Sequence, residues 1–148
     1  QYAQSVVGFI PVIYAVADVT SAVGTRMKCQ FNENSKLHSY CSLLPELNHN
    51  EIIGWETFHA KQFNAKVIFI DDVIYNSQVK KRIAITKEII EKSGAETIVL
   101  SSDEKDYKLR LLDTIYFGDW ITYYTAVLRD QDPSLIENIV YLKEKLVE

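Results

Sequence analysis

A chain of 148 residues with 47% hydrophobic and 24% charged side chains has the length and make-up of one packed domain, which argues against intrinsic disorder and needs no disulfide or metal staple. Sixteen basic residues against twenty acidic ones leave a net charge of −4, and no basic block exceeds Lys80-Lys81-Arg82, too little for a nucleic-acid partner. The apolar run Val6–Ala17 is shorter than the ~20 residues of a membrane span and holds Pro11, so no membrane partner is expected either.

Gly8–Val16 is a continuous run of branched apolar residues, the mark of a parallel strand covered on both faces. Val19, Ala22, Val23 and Arg26 then recur at helical spacing behind Asp18 or Thr20 as cap, and the helix runs on to Asn32 or Asn34. His38–Leu47 has no clean period and contains Pro45, so it reads as loop. Asn48 with Glu51 three positions on resembles a capping box that opens a short helix to about Trp55, with His49 in its first turn.

Lys66–Asp71 reads as a second buried strand, Ser77–Ser93 as a helix stopped by Gly94, and Glu96–Leu100 as a third strand. Tyr107–Arg129 predicts a long helix, apolar over so much of its circumference that burial on two sides is expected. Asp132 and Pro133 read as cap and first residue of a last helix with the stripe Leu135, Ile139, Leu142 and Leu146. Alternating strands and helices predict an α/β three-layer sandwich with a mainly parallel sheet and right-handed crossovers.

No glycine-rich phosphate loop follows the first strand. The hydroxyls of Thr20 and Ser21, at a helix start, are candidates to meet an anion, although Asp18 opposes it and helix capping is the favoured explanation. Cys29 and Cys41 have no further cysteine or histidine pair at zinc spacing, and His38 and His59 have no partner at metal spacing, so no metal is expected. No charged leader precedes the apolar start, which makes the cytoplasm the expected compartment, and the opening at Gln1 reads as a piece of a longer protein.

Two stretches are more specific: Phe31-Asn32-Glu33-Asn34-Ser35-Lys36 and Leu44-Pro45-Glu46-Leu47-Asn48-His49-Asn50-Glu51. Together with Gly118-Asp119, Asp132-Pro133 and Leu142-Lys143, they resemble the C-terminal sugar isomerase (SIS) domain of the bifunctional phosphoglucose/phosphomannose isomerases. The resemblance implies that residues 1–148 form one SIS-like domain, the C-terminal half of a two-domain enzyme whose first domain makes most of the phosphate contacts. It implies cofactor-free aldose-ketose isomerisation of a hexose 6-phosphate in a homodimer. Glu33 matches the base, His49 the ring-opening histidine contributed across the dimer interface, and Lys143 the lysine acting with it at the ring oxygen.

Arg26, two turns before Glu33 on the same helical face, is a candidate to pair with Glu33 or to reach a sugar hydroxyl, with packing between helices an equal alternative. Without the resemblance, each of these residues has a plainer reading as a helix-end or solvated side chain. Two functions of other classes compete: a noncatalytic sugar-phosphate-binding regulator, and a dimerisation domain.

Overall fold

The computed structural model describes residues 1–58 and 63–147; His59 lies outside them. Four parallel strands, β1 (Ile10–Val16), β2 (Tyr40–Leu44), β3 (Ala65–Ile70) and β4 (Glu96–Leu100), lie in the order β2-β1-β3-β4. Ile13 of β1 pairs with Cys41 of β2 and with Ile68 of β3, and Ile68 pairs with Ile98 of β4. The helices are α1 (Tyr2–Val6), α2 (Ser21–Glu33), α3 (Ser77–Lys92), α4 (Tyr107–Leu128) and α5 (Glu137–Lys145).

Strand alternation sorts the core into two layers. Val12, Tyr14, Val16, Val67 and Phe69 meet Leu47, Trp55, Ile83 and Ile90 on the α3 face. Ile13, Ala15, Ile68 and Ile70 meet Val6, Val23, Met27, Phe31 and Ile121 on the other, under α1, α2 and α4. This is the expected three-layer α/β sandwich.

Two glycines set how closely the second layer packs. A Cβ on Gly24 would lie 2.8 Å from Ala15 Cβ and 2.9 Å from Cys41 Sγ, so glycine lets α2 lie directly on the sheet. A Cβ on Gly118 would meet the flexible end of Met27, bringing α4 onto α2.

Helix α1 has no counterpart in the sequence reading, and the structure departs from that reading at four further places. β2 falls inside the segment expected to be loop: as an edge strand with only Leu44 buried it has no continuous apolar run to reveal it. The turn around Asn48 is not a capping box; Glu46–Asn48 and Glu51–Thr57 are 3-10 turns, and it is Asn50 Oδ1 that accepts from Glu51 N–H at 2.6 Å. His49 therefore sits between two short turns and not in the first turn of a helix.

Asp132 and Pro133 do not open α5. Asp132 Oδ1 accepts from Ser134 N–H in a turn, and the helix begins at Glu137. Finally, α4 is buried on one side only, through Thr114, Gly118, Ile121, Thr125 and Ala126. Its other side leaves Leu112, Tyr116, Trp120 and Tyr124 exposed, and no residue of α5 is buried. Among the described residues no helix is long and apolar enough to cross a membrane.

Candidate functional site

Glu33 is the last residue of α2, and its side chain is exposed. It borders two depressions. One is a shallow groove of about 560 Å³ along the outer face of α2, shared with Ser21, Thr25, Arg26 and Cys29. The other, about 360 Å³, lies between the end of α2 and the α4–α5 connection and brings Glu33 together with Asn32, Lys36, Gln131, Asp132 and Asn138. Three of the six candidates, Ser21, Arg26 and Glu33, thus share one surface.

The segment around Glu33 is tied down at every neighbour. Asn32 Nδ2 donates to Lys28 O (2.8 Å), Asn34 Nδ2 to Thr122 Oγ1 (3.0 Å), and the buried Ser35 Oγ to Thr122 O (2.7 Å). The Glu33 carboxylate itself accepts no hydrogen bond from the described residues; only its backbone carbonyl does, from Lys36 Nζ. The two asparagines thus anchor the chain on either side of Glu33, whose carboxylate engages none of the described residues.

Arg26 does not pair with Glu33. Its Nη2 donates to Asp119 Oδ2 on α4 at 2.7 Å, which holds the guanidinium more firmly in its charged form. Both side chains are well exposed, so the pair contributes little to stability and can be exchanged for a ligand.

Thr20 is likewise unavailable to an anion, being 1% exposed. Its Oγ1 accepts from Val16 N–H (3.0 Å) and bonds Tyr75 Oη (2.6 Å), while Tyr75 Oη donates to Ile70 O (3.0 Å). Tyr75 has one hydroxyl hydrogen and spends it on Ile70, so Thr20 donates to Tyr75. These contacts fill the crevice beyond the C-terminal ends of β1 and β3, where strand order reverses and ligands of open α/β sheets usually bind. Tyr107 Oη closes it further by donating to Val19 O at 2.9 Å.

Behind that crevice, Arg110 Nε and Nη2 grip both oxygens of Asp72 at 2.9 and 3.0 Å, with both side chains buried. Burial raises the Asp72 carboxyl, but Arg110 and the Ile74 N–H together outweigh it and hold the group below its ordinary range.

His49 is exposed on the α3 face of the sheet. Its neighbours are anchored: Asn48 Nδ2 donates to Thr86 Oγ1 of α3 (2.8 Å), and Glu51 Oε1 accepts from the buried Tyr14 Oη (2.6 Å), which in turn accepts from Trp55 Nε1 (3.0 Å). Burial first, and then the Glu51 carboxylate, push the Tyr14 phenol far above its ordinary value, so it stays a donor. Lys143 is exposed on α5, one turn beyond Ile139, which lines the hollow beside Glu33. That turn separates them by about 6 Å along the axis.

His49 lines neither depression beside Glu33, and the two residues lie on opposite faces of the sheet, past Leu47 and Phe31 respectively. Both cysteines are free, and burial pushes the Cys41 thiol up to about 11, so it is not a nucleophile at neutral pH. The sequence reading gave no role to Lys36, which lies within the quoted motif and contacts Glu33 O locally and Pro133 O from afar, or to Arg129, which reaches the Glu33 segment from across the fold.

Residues 1–146 match the family model described as the bacterial phospho-glucose isomerase C-terminal SIS domain. The chain belongs to that family. It is 34% identical to the bifunctional phosphoglucose/phosphomannose isomerase of Aquifex aeolicus over 99% of this chain and 45% of that protein. The protein of the same name from Thermoplasma volcanium is 36% identical over 93% of this chain and 43% of its own length. This SIS domain thus spans less than half the length of these relatives. Among solved structures, a glucose-6-phosphate isomerase like protein from Thermus thermophilus superposes with a TM-score of 0.69 at 17% identity, over 88% of this chain and 41% of that one. That likeness concerns the fold alone.

Proposed function

We propose that this SIS domain is the C-terminal half of a cofactor-independent isomerase that interconverts glucose 6-phosphate, and mannose 6-phosphate, with fructose 6-phosphate. Glu33 is the base. After ring opening it removes the C2 proton of the aldose while O1 gains a proton, giving a cis-enediol; the proton is then delivered to C1 as the C2 hydroxyl gives up its own, leaving the ketose. No electron leaves the sugar, so no redox partner is needed. His49 and Lys143 act in ring opening, at the ring oxygen.

The observation that carries this reading is a carboxylate held by fixed neighbours yet itself unengaged, bordering a hollow whose wall mixes the polar side chains Asn32, Lys36, Asp132 and Asn138 with Leu135 and Ile136. A base that is positioned but not hydrogen-bonded away meets the geometric demand of general base catalysis. The placement of His49 on the other face of the sheet supports a site completed by a second subunit, in which each subunit lends its histidine to its neighbour.

The filled crevice and the aspartates around it, Asp18, Asp71 and Asp72, give the sugar's phosphate no welcome in this domain. In this reading the phosphate is held by the other half of the protein, as the length of the relatives allows. That half packs on the exposed aromatic side of α4, where Trp120 stacks on Tyr124 at 5.5 Å beside a largely apolar hollow of about 480 Å³.

The test is the conversion of fructose 6-phosphate to glucose 6-phosphate by the full-length protein and by its Glu33→Gln variant, in a coupled assay at matched folded concentration. Loss of about three orders of magnitude or more in a folded variant is expected. An inactive parent that still binds fructose 6-phosphate would favour a sugar-phosphate-binding regulator instead.

A further inference from the structure

The backbone that carries Glu33 is gripped by two cations that no catalytic role requires. Lys36 Nζ reaches back to donate to the carbonyl of Glu33 at 2.6 Å and, at 3.2 Å, to the carbonyl of Pro133 in the α4–α5 connection. Arg129 Nη1, from the residue that follows α4, donates to the carbonyl of Ser35 and, at 3.3 Å, to that of Lys36. Three carbonyls at and just past the end of α2, those of Glu33, Ser35 and Lys36, thus find side-chain donors outside the helix. Helix ends leave such carbonyls unpaired unless something caps them.

The conformation of Lys36 makes the arrangement more telling. Its φ is +50°, in the left-handed region where glycine or asparagine is the usual occupant of a helix terminus. A lysine there carries backbone strain of roughly 1 kcal/mol or more, which neither glycine nor asparagine would impose to the same degree. What lysine adds is the ammonium, and it is spent on the peptide of the candidate base and on the connection that walls the same hollow.

We infer that Lys36 and Arg129 are positioning residues for Glu33: they lock the end of α2 to the α4–α5 connection, so that the carboxylate is held at a fixed distance from the sugar carbons. The inference rests on Glu33 being the base. Proton abstraction is sensitive to such placement, and a displacement of about 1 Å costs on the order of 100-fold in rate. Neither cation donates to the carboxylate; both hold the backbone that carries it.

The experiment is a double-mutant cycle in the full-length protein. Lys36→Met and Lys36→Arg are each made alone and with Glu33→Gln, and kcat per folded molecule and KM are measured with fructose 6-phosphate. Lys36→Met is expected to lower kcat by about 10–100-fold with KM changed less than about two-fold. Lys36→Arg recovers most of that loss, and Lys36→Met costs nothing further in the Glu33→Gln background, where no base remains to be aimed. Should Lys36→Met fail to fold, Arg129→Gln, which loosens the same peptides from the other side, carries the same expectation.

An unchanged kcat per folded molecule overturns the clamp, as does an equal fold-loss in both backgrounds, since either means a role in stability alone. If Glu33→Gln abolishes turnover while the Lys36 variants are fully active, only the clamp falls. If Glu33→Gln is as active as the parent, the assignment of the base falls and this inference goes with it.

Discussion

Glu33 and His49 stand on opposite faces of one parallel sheet, Glu33 at the end of α2 above the layer of Met27 and Phe31, His49 just past Leu47 in the layer beneath α3. Within one chain the candidate base and the candidate ring-opening acid do not meet. The proposed mechanism, which uses both on one sugar, accordingly draws them from two copies of the chain.

Subunit sharing makes a sharp expectation for mixed variants. Glu33→Gln and His49→Ala proteins, each nearly inactive alone, should regain about a quarter of the parent activity when unfolded together in equal amounts and refolded, because half of the dimers are hybrids with one intact site of two. Activity of the refolded mixture no higher than the sum of the separate variants would place both residues in a single-chain site or remove one from the mechanism.

Two glycines at helix interiors should answer differently to alanine. Alanine improves helix propensity by about 1 kcal/mol at either position. At Gly24 the new Cβ meets Ala15 Cβ at 2.8 Å and Cys41 Sγ at 2.9 Å, and overpacking of this kind costs about 1–3 kcal/mol. Gly24→Ala should therefore lower stability by denaturant unfolding, whereas Gly118→Ala, which meets only the end of Met27, should be close to neutral. Equal effects at both positions would contradict the packing described.

The Asp72–Arg110 pair sets an acid limit. Its folded carboxyl lies below its ordinary value, so the stabilisation is complete above the unfolded value of about 3.9 and is lost as pH falls through the folded one. Thermal midpoints should decline as pH drops from about 5 toward 3, part of it through this group. Asp72→Asn should be less stable at neutral pH, because Arg110 stays buried without its counter-charge, and should show a shallower acid decline. Parallel acid limbs in parent and variant would rule the pair out as a cause.

The buried strands announced themselves through unbroken apolar runs: β4 has the boundaries that Glu96–Leu100 implied, and β3 is displaced by a single residue. The edge strand β2 did not, because a strand with one covered neighbour needs few apolar residues, and Tyr40 and Ser42 looked like loop. The apolar stripe of α5 was legible, yet Leu142 and Leu146 are exposed, since periodicity reports a face and not what covers it. At the site, the Asn-Glu-Asn and Asn-His-Asn elements were visible as motifs. That Arg26 pairs with Asp119, that Thr20 serves the core, and that Arg129 reaches the Glu33 segment were not, because each depends on a contact between distant parts of the chain.

The most direct test of the central claim is proton exchange, since it reads the base without requiring net turnover. Fructose 6-phosphate is incubated in D2O with the full-length protein or its Glu33→Gln variant, and deuterium at C1 of the ketose and C2 of the aldose is followed by NMR. Enzyme-dependent deuterium uptake by the parent, lost in a folded Glu33→Gln variant that still binds the sugar phosphate, is the predicted result. Binding by the parent without deuterium uptake, or uptake undiminished in the variant, would contradict it.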